Sequence, residues 1–298
     1  MKPTLHIILA AIAIVASHAT EAIPELLAKP PIGKIAFVSS NSFGSVGTIS
    51  AVGEKIQPFE GENPEFDAEG KKIIFSNNTG AGHGLFLRDL AASSTTRIEN
   101  KAQDSEAPSL SPDGARIVFV VWPPDRESSQ IFIADASGSN WIPLTAGKYY
   151  NWSPRWSPDG RKIVFETTRD GERQIYTMDP DGKNQVNLTN NKDLCHSPSW
   201  SPNGAFIAYM SRGDNGKANI FVMKSDGGEK VTISKGNTRD SEPVWSPDGE
   251  WIAFTRTANH PPDPETMDIW IMRKDGTNQQ QITRNKEHFS SYQMSWSR

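Results

Sequence analysis

The sequence predicts an all-β fold, a six-bladed β-propeller of four-stranded antiparallel blades, and three observations carry the prediction. A phrase of the form P-x-W-S-P-D-G recurs along the chain, its period suits a propeller blade, and the last five residues, MSWSR, are half of another copy. Pro108, Pro154, Pro198 and Pro243 open the full copies, Pro64 opens a worn one (PEFDAEG), and Met294 holds the same place at the end. The spacings are 44, 46, 44, 45 and 51 residues. Repeats of about 40–50 residues with some four strands each belong to propellers.

The copy at Pro154 shows the elements in order. The first strand is PRWS, followed by the turn SPDG, in which Pro158 fixes φ and Gly160 closes a type I turn. RKIVFET and RQIYTMD are the second and third strands, a second tight turn falls at Asp179–Gly182, and NQVNLT is the fourth. The middle strands are apolar on both sides, as Ile163, Val164 and Phe165 show, which suits a sheet covered on both faces. Trp156, Trp200, Trp245 and Trp296 recur at one position, where Phe66 and Leu110 substitute, and read as packing between blades. Asp113, Asp159 and Asp248 read as turn formers.

The split copy closes the ring. PIGKIAF matches the second-strand phrase, since Lys34–Phe37 align with Lys162–Phe165, and GTISAV and KIQPF supply a third and fourth strand. Its missing first strand is MSWSR, so the two ends build one blade and remove the open edges of the sheet. The propeller is expected over residues 33–298, behind a lead-in at 23–32 that carries Pro24, Pro30 and Pro31.

Residues 1–22 read as a secretory signal. Lys2 precedes an apolar run from Leu5 to Ala16, broken only by His6, and small residues follow at Ser17, Ala19 and Ala22, placing cleavage within 19–22. The run falls short of the ~20 apolar residues that span a bilayer. A periplasmic or secreted protein without a membrane span is expected. Cys195 is the single cysteine, so no internal disulfide forms. A net charge of −4 with no basic stretch argues against nucleic-acid binding.

These motifs resemble the TolB-type propeller repeat of secreted and periplasmic bacterial proteins, over essentially all of 33–298, with SPDG or SPNG intact in four copies. That family carries an α/β domain before its propeller, which this chain is expected to lack. The resemblance implies a non-enzymatic propeller that docks a protein or peptide partner of the cell envelope at its channel mouth.

Strand parity places the stereotyped turns on one face and the dissimilar segments on the other, where function concentrates. The segments before each marker should rim the channel there. They supply Glu62, Asp104, Glu106, Asp193, Asp240 and Glu242, with Tyr149, Tyr150, Trp152, His196 and Tyr292. An arc of carboxylates attracts a cation or a basic partner segment, and aromatic anchors suit a protein or sugar contact. No cofactor is expected, although the acidic rim offers a place for a divalent cation, and the chain is expected to act as a monomer. No G-x-S-x-G elbow, phosphate-binding glycine loop or paired-Cys metal motif is present. A second reading rests on related repeats in oligogalacturonate lyases, which hold a metal at the propeller mouth. It would make the protein a metal-dependent carbohydrate-active enzyme using His83, His196, His260 and His288.

Overall fold

Runs such as Arg116–Trp122 (RIVFVVW) are rich in β-branched and aromatic residues and are bounded by Ser, Pro, Asp and Gly, so they form strands and stop at turns. The computed structural model describes residues 33–39, 45–50, 55–78, 80, 83–98, 104–212, 216–234, 238–258, 266–283 and 294–297. In chain order its strands begin with β1 (Lys34–Ser39), β2 (Ser45–Ser50) and β3 (Lys55–Glu60). A second group is β4 (Glu62–Phe66), β5 (Lys72–Asn78), β6 (His83–Asp89) and β7 (Ser94–Arg97). The third is β8 (Asp104–Leu110), β9 (Arg116–Trp122), β10 (Gln130–Asp135) and β11 (Ile142–Pro143). The fourth is β12 (Asn151–Trp156), β13 (Ile163–Thr167), β14 (Gln174–Met178) and β15 (Val186–Asn187). The fifth is β16 (Leu194–Trp200), β17 (Phe206–Arg212), β18 (Ala218–Lys224) and β19 (Val231–Thr232). Then come β20 (Arg239–Trp245), β21 (Trp251–Ala258), β22 (Thr266–Arg273), β23 (Gln280–Gln281) and finally β24 (Ser295–Ser297).

Each group of four is one antiparallel sheet, and β24 joins β1, β2 and β3 as the inner strand of a sheet drawn from both ends. Ile35 pairs with Trp296 and Ala36 with Ser295. The core lies between sheets. Ile35, Phe37, Met294 and Trp296 of the split sheet pack with Trp251, Ala253, Ile269 and Ile271 of the sixth. On its other side, Ala36 and Val46 pack with Phe66, Ile73 and Phe75 of the second. Similar clusters join second to third, third to fourth, fourth to fifth and fifth to sixth. This explains why β13 and β14 are buried along their whole length.

The turn chemistry is as read. Ser157 Oγ donates to Asp159 Oδ1 at 2.6 Å and accepts from Lys162 N at 2.9 Å, Gly160 N reaches Ser157 O at 2.9 Å, and Gly160 has φ 69°. Ser111–Asp113 and Ser246–Asp248 repeat the arrangement. Gly276, with φ 87°, serves a second purpose: a Cβ there would meet Ile233 O of the neighbouring sheet at 2.1 Å.

The inner strands depart from the expected bounds. They begin several residues before the marker Pro, not at it, and continue through a bulge. In β12, Trp152 pairs with Glu166 and Arg155 with Val164, so Ser153 and Pro154 together face Phe165. The bulge takes the Pro, whose missing N–H then breaks no ladder bond. The residue before it adopts a left-handed conformation, with φ of 51°, 51°, 49°, 56° and 53° at Asn63, Ala107, Ser153, Ser197 and Glu242. A residue before Pro normally prefers extended backbone, so each of these positions stores about 1–3 kcal/mol of strain.

Candidate functional site

This bulge repositions the expected rim. Glu62, Asp104, Glu106, Trp152, His196 and Asp240 are ladder residues of the inner strands, not loop residues. Their partners are Ser76, Trp122, Val120, Glu166, Met210 and Arg256 respectively. Glu242 sits in the bulge itself and is buried, and Asp193 directly precedes β16. Tyr292, His260 and His288 lie outside the described residues.

The carboxylates fall into internally paired groups instead of one bare arc. Between the second and third sheets, Asp104 Oδ1 accepts from His83 N at 2.8 Å and lies 3.0 Å from His83 Nδ1. His83 Nε2 lies 3.4 Å from Glu62 Oε2. Arg126 also pairs with Asp104, and Trp122 Nε1 donates to Glu106. The hydrogen bond with Glu62 holds the His83 imidazole above its ordinary value and the Glu62 carboxyl below its own, whereas burial pushes Glu106 up. On the sixth sheet, Asp240 is 1% exposed and takes both oxygens to Arg256, at 2.7 and 2.8 Å. Asp193 accepts from Ser211 Oγ at 3.4 Å, and its carbonyl accepts from Gln174 Nε2 at 2.7 Å.

A deeper group joins the fourth, fifth and sixth sheets. Ser197 N donates to Glu166 Oε1 at 2.9 Å, and Ser197 Oγ donates to Glu242 Oε1 at 2.9 Å and lies 3.0 Å from His196 Nδ1. Glu166 also pairs with Arg173 at 3.1 Å. Burial pushes the Glu242 carboxyl up to about 8, helped by the Glu166 charge and opposed by the Ser197 bond and by Arg155 and Arg173. Glu242 is therefore mainly a neutral acid at pH 7. Burial pushes the His196 imidazole down.

Along the same rim runs a ladder of rings and cations. Arg126 lies over Trp122 (5.4 Å), Trp122 meets Tyr150 (6.0 Å), Tyr150 stacks on Trp152 at 5.3 Å and 20°, and Arg173 lies over Trp152 at 3.9 Å. Trp122, Tyr150 and Trp152 are partly exposed. Of the histidines named for a metal, His83 is held by Glu62 and Asp104 and His196 by Ser197. Among the described residues, no group of three or more His, Cys, Asp or Glu is arranged to hold a metal ion.

Below the bulges a cavity of about 410 Å³ opens toward the stereotyped turns, lined by Glu65, Arg155, Ser199, Val244 and Ser295 and by the marker tryptophans. Of the expected rim residues only Glu242 borders it. Glu65 and Arg155 form an ion pair between the second and fourth sheets, and Ser109 Oγ donates to Glu65 Oε1 at 2.8 Å. Sequence reasoning missed this pair. The available signal was the x of P-x-W, which is charged in two copies and Ser or Val in the rest. Arg126, Glu166 and Arg173 were missed as well, because nothing local marks them.

Four-stranded antiparallel sheets packed face to face, inner strands around a cavity, define a β-propeller. The chain belongs to the family described as PD40, the TolB beta propeller domain, whose model matches residues 61–298. It is 30% identical over 115 residues to the protein TolB homolog of Chlorobium chlorochromatii (strain CaD3), covering 36% of this chain and 23% of that protein. It is also 30% identical over 74 residues to the Tol-Pal system protein TolB of Francisella tularensis subsp. tularensis (strain WY96-3418), covering 25% and 17%. The crystal structure of TolB from Acinetobacter baumannii superposes with a TM-score of 0.74 at 20% identity, over 89% of this chain and 66% of that one, which is a likeness of fold. The matched stretches span only 10–23% of the length of the curated relatives.

Proposed function

We propose that this protein is a non-enzymatic propeller, exported to the periplasm or beyond, that binds a protein or peptide partner of the cell envelope at the rim of its channel. The observation that carries the reading is the ladder Arg126–Trp122–Tyr150–Trp152–Arg173. Tyr, Trp and Arg dominate the energetics of protein interfaces, and here they are held rigid by one another, which lowers the entropy lost on binding. The pairing of Asp104 and Asp240 with Arg126 and Arg256 shifts the weight from rim charge to these rings. Membership of the TolB propeller family supports a protein partner, and the Lys2–Ala22 pattern supports export. Among the described residues no helix is long and apolar enough to cross a membrane. The blade count belongs to the same reading: six four-stranded sheets, each packed on its neighbours, support a ring of six. The reading needs one copy of the chain and no cofactor.

The test is site-specific photocrosslinking in intact cells, with the crosslinker beside the ladder. The parent should give a discrete crosslinked envelope protein, and Tyr150→Ala/Trp152→Ala should lower its yield about tenfold without changing the melting temperature. Undiminished yield from a folded double variant would refute the rim as the docking site. The recovered chain should begin after a residue within 19–22; an intact Met1 in the membrane fraction would replace the cleaved signal by an uncleaved anchor, and recovery from the cytoplasm would refute export.

A further inference from the structure

The acid group beside the ladder contains one side chain whose two charge states cannot make the same bonds. His83 opens β6 and faces two inner strands at once. Its Nδ1 lies 3.0 Å from Asp104 Oδ1 of β8, and its Nε2 lies 3.4 Å from Glu62 Oε2 of β4. A carboxylate can only accept a hydrogen bond, and a neutral imidazole carries one N–H. Only the imidazolium satisfies both contacts. The charged groups facing the ring are Glu62 from β4, Asp104 and Glu106 from β8, and Arg126 from the β9–β10 connection. Three carboxyls against one guanidinium favour the proton, and the Glu62 bond is the largest cause that holds His83 above its ordinary 6.5. The stabilisation from these contacts is therefore fully present below pH 6.5 and is lost as pH rises through the higher folded value.

The two carboxylates do not depend on the ring equally. Asp104 is also held by His83 N at 2.8 Å and by Arg126. Glu62 has no other side-chain partner among the described residues, and its side chain is 41% exposed against 18% for Asp104. When the imidazolium loses a proton, the remaining N–H stays with the shorter and less exposed contact to Asp104. The bare Nε2 then turns a lone pair toward Glu62 and releases it. His83 also reaches the ladder itself. Its charge opposes the burial that raises the Glu106 carboxyl, and Glu106 accepts from Trp122 Nε1, the ring beneath Arg126.

We propose that His83 is a pH-sensing latch on the rim: charged, it ties Glu62 and Asp104 together, and neutral, it frees Glu62 as an unpaired carboxylate beside the aromatic ladder. The rim then holds a cationic segment of its partner more tightly as pH rises. This consequence rests on the rim reading, whereas the latch itself needs no partner.

The test has two arms. In the first, the full chain labelled with ¹³C-histidine and ¹⁵N-tryptophan is followed by NMR from pH 5 to 9, with His83 assigned through His83→Gln and Trp122 through Trp122→Phe. The His83 signal should titrate above 6.5, and the Trp122 indole should shift with the same midpoint. Glu62→Gln should lower that midpoint, and His83→Gln should remove the step from Trp122. In the second arm, the yield of the crosslinked envelope protein in extract should rise about threefold from pH 6 to pH 8, as one exposed charge pair allows. Glu62→Gln should flatten that rise. A His83 midpoint at or below 6.5, or a Trp122 signal indifferent to it, would overturn the latch. A correct titration with equal yields at both pH values would overturn its control of the partner and leave the rim reading standing. Absence of any crosslinked product at either pH would instead count against the rim reading, with the latch still judged by the first arm.

Discussion

Glu242 gives the sharpest test of the interior. Its carboxyl is buried where the fourth, fifth and sixth sheets meet, with Ser197 as its hydrogen-bond donor and Glu166 as a like charge nearby, and it is pushed from 4.5 to about 8. In the unfolded chain the same group loses its proton near pH 4.5. Between those values the folded protein binds one more proton than the unfolded chain, so stability should fall as pH rises across that window. Carrying a carboxyl from 4.5 to about 8 corresponds to about 5 kcal/mol at 1.36 kcal/mol per pH unit, an upper figure that relaxation around the charge reduces. The perturbation is Glu242→Gln, which keeps the shape and a hydrogen-bonding amide and removes the titration. Urea unfolding of both proteins at pH 5, 6, 7, 8 and 9 should show near-equal stability at pH 5. The variant should gain progressively, by about 2–5 kcal/mol at pH 9. The gain should level off above pH 8, where both states of the parent are ionised. Parallel pH profiles would refute the claim that Glu242 is buried and neutral.

The split sheet and the sixth-sheet ion pair give further tests. Deleting Met294–Arg298 strips β1 of its inner partner, takes Met294 and Trp296 out of the cluster with Ile35, Phe37 and Trp251, and removes the Ser295 Oγ that accepts from Phe66 N at 2.9 Å. Losing a buried Trp alone costs about 3–5 kcal/mol, so cooperative melting at the parental temperature would refute the split sheet. Asp240→Asn should cost about 3–5 kcal/mol in urea unfolding, because it leaves the Arg256 guanidinium buried beside a neutral amide. Adding Arg256→Met should recover most of the loss, and full parental stability in the single variant would mean that Asp240 acts at the surface after all.

The repeat made the architecture legible because strand order, turn chemistry and inter-sheet packing each leave a local mark. SPDG names its turn through Ser157, Asp159 and Gly160, and MSWSR announces a strand whose partner lies at the other end of the chain. The repeat marked where the site's carboxylates fall in each copy, but not their state. Asp104, Glu106, Asp240 and Glu242 were assigned to one mouth, and what differs among them is set by distant residues. Asp240 meets Arg256 sixteen positions on, and Glu242 meets Ser197 forty-five positions back. The first pair spans two strands of one sheet and the second a whole sheet's period, and a sequence pattern carries no record of which side chain answers which across either distance. The left-handed residue before the marker Pro was also invisible, since a pre-proline position normally argues for extended backbone.

That same bulge explains how one repeat supports two dissimilar faces. Below it, the inner strand obeys the marker: Trp packs on the neighbouring sheet, Pro and Gly set the turn, and little can vary without opening an interface between sheets. Above it, the extra residue shifts the ladder by one, so the residues that precede the marker Pro are released from that packing and find partners particular to each sheet. Their side chains are free to differ, and they do: Glu62, Glu106, Trp152 and His196 occupy one position in successive copies, and Ser241 takes it in the sixth sheet. Strain at Asn63, Ala107, Ser153, Ser197 and Glu242 is what separates the two halves. Flattening the bulge without changing the length of either strand would slide the upper ladder by one residue and turn each of these side chains to the opposite face of its sheet. The diversity of the rim therefore depends on the uniformity of the bulge beneath it.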